Sequence, residues 1–537
     1  MDVFTNLNIK KLSAVFIVFL LIVSFFFLFN FINGNVPRRL PTSPDEGQAF
    51  FFSKLFVEKG MFIWQSELNS KYGAPYFRPR SLNHLGDNKF RAAYPLGYLL
   101  LLSAFYKLNL LIFFSSLIGI FGVFAVYLLT SELFSRKEAI IASLLTATFP
   151  MYLFLSNTYF NNLTPAVLYL YSFYFFLKAV RAPNTVPDAC PHRGQGRQEA
   201  KNLLFFFSGI FAALTVTMRT PYVLWLAPFF ALVAVYLVKK KCRGKEVAIF
   251  GLGFLIPSFA LLVLNFHFYG NMFATEASKS AAKIPLTSYS ALSSYFFSFQ
   301  TYVLDYAYLI AVFGILGFFQ LMKSAKREDK WIYLSLGALC LMLFIFYGFR
   351  TGVWGGEEII FSSSMARYFF LIYIFLIIFS AVFIVGFLRK KFPFYVPVIF
   401  LILMVIFSLN FAFKLTPSMR DILYDANHSY QLNEFARKTD EKSVFVTKFF
   451  DKAVFPTRNV LIYYTEKDGI GKGVFYPIEQ VDLEKDMIPL ILKLKSDGFK
   501  VYLLPDAKDL LFELKKNGLK VRIFDLEDTK VTELIGY

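Results

Sequence analysis

Long apolar runs, separated by short polar connections, make up most of the chain. Each run holds about twenty predominantly apolar residues, enough for a helix to cross the ~30 Å hydrocarbon core of a bilayer. The pattern predicts about eleven transmembrane helices, at residues 12–33, 110–134, 138–157, 162–180, 202–219, 221–238, 247–266, 299–322, 331–349, 366–388 and 394–414. We therefore expect an α-helical polytopic membrane protein. The composition agrees, since 56% of the residues are hydrophobic and 17% are charged.

The pattern changes after residue 414. Short stretches rich in β-branched and aromatic residues predict strands, at 443–447, 459–463, 500–504 and 519–524. Apolar positions at helical spacing predict helices over 486–497 and 507–516, and each of these helices ends near a glycine. Strands that alternate with helices indicate a small α/β domain over residues 415–537, which follows a transmembrane domain over residues 1–414.

Basic residues are concentrated in alternate connections between the predicted spans. The formal net charge is +19, yet residues 415–537 are close to neutral, so the excess belongs to the membrane part. If the N-terminus is cytoplasmic, every dense basic cluster, such as 239–245 and 389–391, faces the cytoplasm, as the positive-inside rule requires. An odd number of spans then places the loop 34–94 and the C-terminal domain outside. We expect a multi-pass protein of the cell membrane, in contact with membrane lipid and with no nucleic-acid partner.

Two adjacent acidic residues, Asp45 and Glu46, stand where the chain leaves the first predicted span. Ser43 as N-cap, Pro44 at the first helical position and Glu46 form a capping box, so Glu46 has a structural explanation. The cap does not require Asp45, although a carboxylate there suits the positive end of a helix dipole. Beside a bilayer, charge is tolerated where it faces water. We therefore expect Asp45, with Glu46 next to it, to be the catalytic carboxylate.

Several segments follow one another in an order that resembles a known family. After the acidic pair comes a Tyr-Pro segment at Tyr94–Pro95, followed by two apolar runs that include residues 125–137 and Pro150. A segment with Asn and Gly follows at Asn265–Asn271, and an Arg-Tyr pair at Arg367–Tyr368. In this order, over residues 12–390, the chain resembles the GT-C glycosyltransferases, which include the protein O-mannosyltransferases and the lipid A aminoarabinose transferases. It departs from their pattern after the third predicted span, where Asn161 and Asn162 stand in place of an acidic residue.

The resemblance implies an integral-membrane glycosyltransferase that moves a sugar from a polyprenyl-phosphate donor to an acceptor on the extracytoplasmic side, with inversion. The acceptor could be a protein, a lipid or a glycan, and mannosyl transfer is one candidate reaction. A phosphate leaving group departs without a general acid. The site therefore needs a base for the acceptor, here Asp45, and positive charge for the phosphate. The pattern identifies no cofactor; a divalent metal is possible, but one acidic pair does not make a metal site.

Arginines on the predicted outer side are the candidates for binding the phosphate, because a guanidinium can donate two parallel hydrogen bonds to it. Together with polar and aromatic neighbours, the candidate substrate-binding residues are Arg78, Arg80, Lys89, Arg91, Tyr94, Arg219, His267, Arg350, Arg367 and Tyr368. Each arginine also has a structural alternative. Those in the first loop could bind lipid headgroups, and those at span ends could simply reach the membrane interface.

Two other functions remain open. A lipid or sugar flippase or transporter would carry charged or Gly/Pro-broken spans, often in repeated halves. Few charges fall inside the predicted spans, Asp305 being the clearest, and no internal repeat is evident. A non-catalytic scaffold with the same fold would not need Asp45. The large loop after the first span and the acidic residue within it favour the enzyme over both.

Overall fold

The computed structural model describes a defined part of the chain, comprising residues 43–73, 76–80, 82–182, 191–273, 300, 303, 306–354, 366–388, 391–393, 395–414, 419–465, 481–527 and 529–536. The predicted first span at 12–33 lies outside these residues, as do Asp305 and the side chain of Arg350.

The described helices are, in chain order, α1 Pro44–Lys59, α2 Glu67–Tyr72, α3 Leu96–Lys107, α4 Phe114–Leu133, α5 Arg136–Thr148, α6 Pro150–Leu155, α7 Leu163–Arg181, α8 Pro191–Met218, α9 Val223–Val238, α10 Gly244–Tyr269, α11 Tyr306–Ser324, α12 Arg327–Trp354, α13 Phe370–Phe383, α14 Tyr395–Lys414, α15 Met419–Lys438, α16 Asp451–Val454, α17 Ile488–Ser496 and α18 Lys508–Lys516. Short 3₁₀ turns lead into three of them, at Leu111–Phe113, Thr220–Tyr222 and Arg367–Phe369. The strands are β1 Ile63–Gln65, β2 Leu82–Gly86, β3 Lys89–Ala92, β4 Ser443–Thr447, β5 Asn459–Ile462, β6 Lys500–Leu503, β7 Lys520–Leu526 and β8 Thr529–Gly536.

The chain is a multi-pass membrane protein. Within its described residues, eight helical segments are long and apolar enough to cross a bilayer, at Leu111–Leu133, Leu163–Arg181, Gln198–Met218, Thr220–Val238, Gly244–Tyr269, Ala307–Ser324, Asp329–Tyr347 and Arg367–Leu388. Each overlaps one predicted span, because runs of this length and hydropathy can satisfy their backbone hydrogen bonds in lipid only as helices.

One predicted span differs in the structure. The run 138–157 is divided into α5 and α6, because Phe149 is extended (φ −70°, ψ 131°) and Pro150 begins a new helix. A residue before proline is sterically disfavoured in the helical region, which accounts for the break. The run 394–414 corresponds to α14, Tyr395–Lys414. The count of eleven spans therefore stays a prediction.

Helix α13 lies in the interior of the bundle, with all of its residues from Phe370 to Phe383 buried. It packs closely against α11, where a Cβ on Gly317 would lie 2.1 Å from the carbonyl oxygen of Phe379. Small residues allow such close approach between membrane helices. Since the turn at Arg367–Phe369 leads directly into α13, the burial of α13 also determines where Arg367 lies.

A small outer sheet follows α1. Strand β3 pairs antiparallel with both β1 and β2, in the order β1-β3-β2. Trp64 and His84 both lie opposite Phe90, which is fully buried. Just beyond β3, the backbone N–H of Ala93 donates to the side-chain oxygen of Gln48. The sheet is thereby attached to α1, one turn after Asp45.

The C-terminal part is an α/β unit with a five-stranded sheet in the order β5-β4-β6-β8-β7. Strands β4, β5 and β6 are parallel, while β8 runs antiparallel to its neighbours β6 and β7. The four predicted strands correspond to β4, β5, β6 and β7, and the two predicted helices to α17 and α18. Strand β8 and helices α15 and α16 were not among the predicted elements.

The first outer segment is joined to this sheet. The carbonyl oxygen of Tyr76 accepts a hydrogen bond of 3.0 Å from the N–H of Ile462, and Phe77 is buried in the core around β4 and β6. Arg80 Nε lies 2.7 Å from the Asp451 carboxylate, which is fully buried. The membrane-proximal loop and the C-terminal sheet therefore form one packed structure.

Candidate functional site

Helix α1 places Asp45 at its N-terminal turn. Ser43 is the N-cap, and its hydroxyl accepts a hydrogen bond of 3.2 Å from the N–H of Glu46, as the capping pattern predicts. The Asp45 side chain is 26% exposed, and its Oδ2 accepts a hydrogen bond of 3.1 Å from Nη2 of Arg367. The predicted base and a predicted phosphate ligand therefore form an ion pair.

The neighbouring carboxylate, Glu46, points into the protein and is 1% exposed. Its Oε1 accepts a hydrogen bond from the N–H of Tyr159, and the hydroxyl of Tyr98 donates to the carbonyl oxygen of Tyr159 at 2.6 Å. Glu46 thus ties α1 to the loop between α6 and α7. Its predicted catalytic role stays a prediction, and its contacts give it a positioning role.

Arg367 is held on several sides. Its side chain is 6% exposed, and its guanidinium carbon lies 4.0 Å from the ring centroid of Phe160 and 5.4 Å from that of Tyr368. The amide of Asn162 donates to the Arg367 carbonyl oxygen at 3.2 Å. No acceptor among the described residues bonds its Nε or Nη1. Two donors of a buried cation are therefore available to a ligand.

A second buried arginine, Arg219, lies at the end of α8, also near Tyr368. Its guanidinium carbon is 5.2 Å from the Tyr368 ring centroid, and its Nη1 donates to Oδ1 of Asn161 at 3.1 Å. The hydroxyl of Tyr222 donates to the carbonyl oxygen of Asn162 at 3.2 Å. Both guanidiniums thus lie near the ring of Tyr368, and the loop at Asn161–Asn162 contacts both arginines.

Tyr94, which precedes α3, is also near these charges. It is 5% exposed. Burial, followed by the negative charge of Asp45, raises the pKa of Tyr94 well above its usual value, while Arg367 and Arg219 act in the opposite direction. At neutral pH Tyr94 is a neutral phenol that can donate a hydrogen bond without adding charge to the site.

The other predicted residues have their described contacts elsewhere. Arg80 binds Asp451, the guanidinium of Arg78 lies 5.6 Å from the Phe90 ring centroid, and that of Arg91 lies 5.2 Å from the Tyr269 ring centroid. His267 is exposed on the last turn of α10. The structure therefore brings together Asp45, Tyr94, Arg219, Arg367 and Tyr368, while the substrate-binding roles of the three arginines of the first loop stay predictions.

Residues that sequence reasoning did not assign to the site complete it. Phe160, Asn161, Asn162 and Tyr222 contact one or other arginine or its loop. A polar Asn-Asn pair between two long apolar runs is the available signal, although the family pattern marks it only as a replacement for an acidic residue.

A metal ion would need several donor side chains close together. In the described part of the chain, no group of three or more His, Cys, Asp or Glu could hold one. A second carboxylate would help to bind a cation. The chain has Asn161 in place of an acidic residue, and its Oδ1 accepts a hydrogen bond from Arg219. The assembled residues are thus one carboxylate beside two guanidiniums, a set suited to an anion and a proton.

Comparison with solved structures identifies the fold. Neither a protein-family model nor a curated protein sequence matches the chain. Cupriavidus metallidurans ArnT bound to undecaprenyl phosphate is similar at 12% identity, over 96% of this chain and 97% of ArnT, with a TM-score of 0.58.

The archaeal oligosaccharyltransferase AglB from Archaeoglobus fulgidus, in complex with an inhibitory peptide and a dolichol-phosphate, is similar at 11% identity, over 97% of this chain and 74% of AglB, with a TM-score of 0.50. The same enzyme in complex with Zn and sulfate gives 11% identity over 96% and 72%, also with a TM-score of 0.50. The chain therefore has the GT-C fold, as its motifs predict.

Proposed function

We propose that this protein is an integral-membrane GT-C glycosyltransferase that moves a sugar from a polyprenyl-phosphate donor to an acceptor on the extracytoplasmic side. The observation that carries the proposal is the contact of 3.1 Å between Asp45 and the buried Arg367, with Arg219 and Arg367 both near the ring of Tyr368. It supplies a carboxylate and two cations at one place in a fold shared with ArnT and AglB.

The two arginines are the proposed binding site for the donor phosphate. A buried guanidinium interacts with phosphate in surroundings of low dielectric constant, where charge-assisted hydrogen bonds are strong. Arg367 has two donors with no acceptor among the described residues. Similar structures hold undecaprenyl phosphate and dolichol-phosphate, which supports a polyprenyl carrier for this chain as well.

In the proposed reaction, an acceptor hydroxyl attacks the anomeric carbon of the donor sugar. A new C–O bond forms, the bond from the anomeric carbon to the phosphate oxygen breaks, and its electron pair leaves with the phosphate. Asp45 takes the hydroxyl proton, while Arg367 and Arg219 stabilise the charge on the departing phosphate. Attack from the face opposite the phosphate inverts the anomeric centre.

The proposed reaction includes no step that uses a metal ion. The described residues offer no metal-binding group, and the two guanidiniums supply positive charge at the phosphate. A divalent ion, if one binds, would use Asp45, whose carboxylate would then have to leave Arg367.

The test is transfer by purified full-length protein in detergent, with a panel of radiolabelled polyprenyl-phosphate sugars and a mixed lipid, glycan and peptide acceptor pool. We expect Asp45→Asn to lower the transfer rate by about 10³-fold, the scale of a general base, while donor binding persists. Glu58→Gln, on the exposed face of the same helix, is the matched control and should transfer normally.

Transfer that survives Asp45→Asn would refute the assignment of the base. Absence of transfer with every donor, together with lipid movement across liposomes, would instead identify a flippase or transporter.

A further inference from the structure

The carboxylate of Asp45 occupies Nη2, one of the donors through which Arg367 would bind a donor phosphate. The two groups are 3.1 Å apart, and both phosphate and carboxylate bind a guanidinium through oxygen. An anion that binds Nη2 of Arg367 must therefore compete with Asp45. This competition depends on the proposed function, because it concerns the same arginine and the same phosphate.

The two partners differ in how freely they can move. Arg367 is 6% exposed, lies against the Phe160 ring at 4.0 Å, and is anchored through its carbonyl oxygen by Asn162. Asp45 is 26% exposed, and its short side chain stands on the first turn of α1. When a phosphate arrives, the carboxylate is the group that can turn away, while the guanidinium stays in place.

The position of Asp45 also affects how well it can act as a base. A carboxylate has two oxygens, and Oδ2 of Asp45 is directed at the guanidinium of Arg367 rather than at an acceptor hydroxyl. We infer that the donor phosphate displaces Asp45 from Arg367 and thereby releases the base, so that the donor binds before the acceptor is activated.

The same exchange runs in reverse after transfer. Asp45 has taken the acceptor proton and is neutral, and the polyprenyl phosphate remains on Arg367. Once Asp45 loses that proton to water, its carboxylate again competes for Arg367 and assists release of the phosphate. Arg219 donates to the neutral amide of Asn161 at 3.1 Å, so in this contact no carboxylate competes with the phosphate.

The test measures equilibrium binding of a polyprenyl monophosphate to the full-length protein in detergent, with no sugar and no acceptor. Competition between two anions for one site is a negative coupling, of the size usual for coupled ligands. We expect Asp45→Asn to bind the phosphate about tenfold more tightly than wild type. Arg367→Gln should bind it at least about tenfold more weakly, and in the double variant the gain from Asp45→Asn should disappear.

Two controls separate this exchange from general effects of charge and of the lipid chain. Glu58→Gln removes one negative charge from the same helix at an exposed position and should leave phosphate affinity unchanged. A polyprenol without phosphate should bind wild type and Asp45→Asn equally.

The outcomes also distinguish the exchange from the proposed function. Wild type that binds the phosphate, with Arg367→Gln weaker but Asp45→Asn no tighter, would overturn the exchange and leave the phosphate site intact. Tighter binding that persists in the double variant would equally overturn it, because the gain would not depend on Arg367. Wild type that binds no polyprenyl phosphate would overturn both.

Discussion

At the scale of single residues, the site depends on the charge of the side chains that contact its arginines. Asp45 brings a negative charge to Arg367, whereas Asn161 brings none to Arg219. The amide of Asn161 satisfies a hydrogen bond of Arg219 without supplying the negative charge that a carboxylate would supply. The contact with Asn161 therefore does not reduce the attraction of Arg219 for an anion.

Replacing Asn161 by Asp tests that role. The new carboxylate would form an ion pair with Arg219, so we expect about tenfold weaker binding of polyprenyl monophosphate, with the fold kept. Affinity is measured as for Asp45→Asn, and Asn517→Asp, on the exposed turn after α18, is the matched control. Unchanged affinity in Asn161→Asp would show that Arg219 does not bind the phosphate.

Asp506, in the loop after β6 of the C-terminal sheet, is a titratable residue whose carboxylate contacts the end of β4. Asp506 Oδ2 accepts hydrogen bonds from the Thr447 hydroxyl at 2.7 Å, from the Lys448 N–H at 2.9 Å and from the Phe449 N–H. Burial raises the pKa of Asp506, and these hydrogen bonds offset only part of the increase. The folded protein therefore holds this proton more tightly than the unfolded chain does.

The stability contributed by the Asp506 proton is present below the unfolded pKa and is lost as pH rises through the raised folded pKa. We expect the Tm of wild type to fall relative to that of Asp506→Asn as the pH rises from the usual range of an aspartate carboxyl through the raised pKa of Asp506. Thermal unfolding of the full-length protein in detergent at several pH values measures this difference. Parallel curves for the two proteins would contradict it.

At the scale of elements, α1 joins the membrane part to the C-terminal sheet. Phe51, on α1, lies 4.6 Å from Phe455 between ring centroids, and Arg80 binds the fully buried Asp451 at the start of α16. Because α1 also carries Asp45, these contacts support the helix on which the proposed base lies. If α16 were displaced, α1, which carries Asp45, would lose part of its packing.

The ion pair between Arg80 and Asp451 can be removed from one side. Asp451→Asn would leave Arg80, 11% exposed, without its counter-charge, and a broken buried pair costs on the order of 3 kcal/mol. We expect a Tm several degrees lower and reduced transfer with donor affinity retained. Asp525→Asn breaks an exposed pair with Lys530 in the same sheet and should change Tm little. Equal Tm values for the two variants would contradict a supporting role for this contact.

At the scale of the whole molecule, the position of the site relative to the bilayer depends on the orientation of the chain. The distribution of basic residues predicts that 239–245 is cytoplasmic and that the C-terminal domain is extracytoplasmic. Asp45 and Arg367 would then lie at the outer face, where an extracytoplasmic acceptor could reach them.

Cysteine labelling tests this orientation. In a variant in which Cys190, Cys242 and Cys340 are replaced by Ser, we expect Lys530→Cys to react with an impermeant maleimide in intact cells. Lys240→Cys should react only after permeabilisation. Both positions are exposed, so burial does not limit the reaction. The reverse pattern would place the site on the cytoplasmic side.

The sequence by itself determined the class of the protein, most of its spans and the strand pattern of its C-terminal part, because hydrophobic periodicity is a local property. It also singled out Asp45 and Arg367 as candidates. It missed the break at Phe149–Pro150 and strand β8, where a proline-induced turn and a sheet partner outweighed the local pattern.

Only the tertiary structure decided which candidates meet. Asp45 and Arg367 are 322 positions apart in the chain, and Arg80 and Asp451 are 371 apart. Nothing local distinguishes an arginine that faces the site from one that binds the C-terminal sheet. That choice follows from the burial of α13 and the packing of the outer loop, which are set by the whole fold. The sequence thus supplied the charged groups, and long-range packing determined the pairs they form.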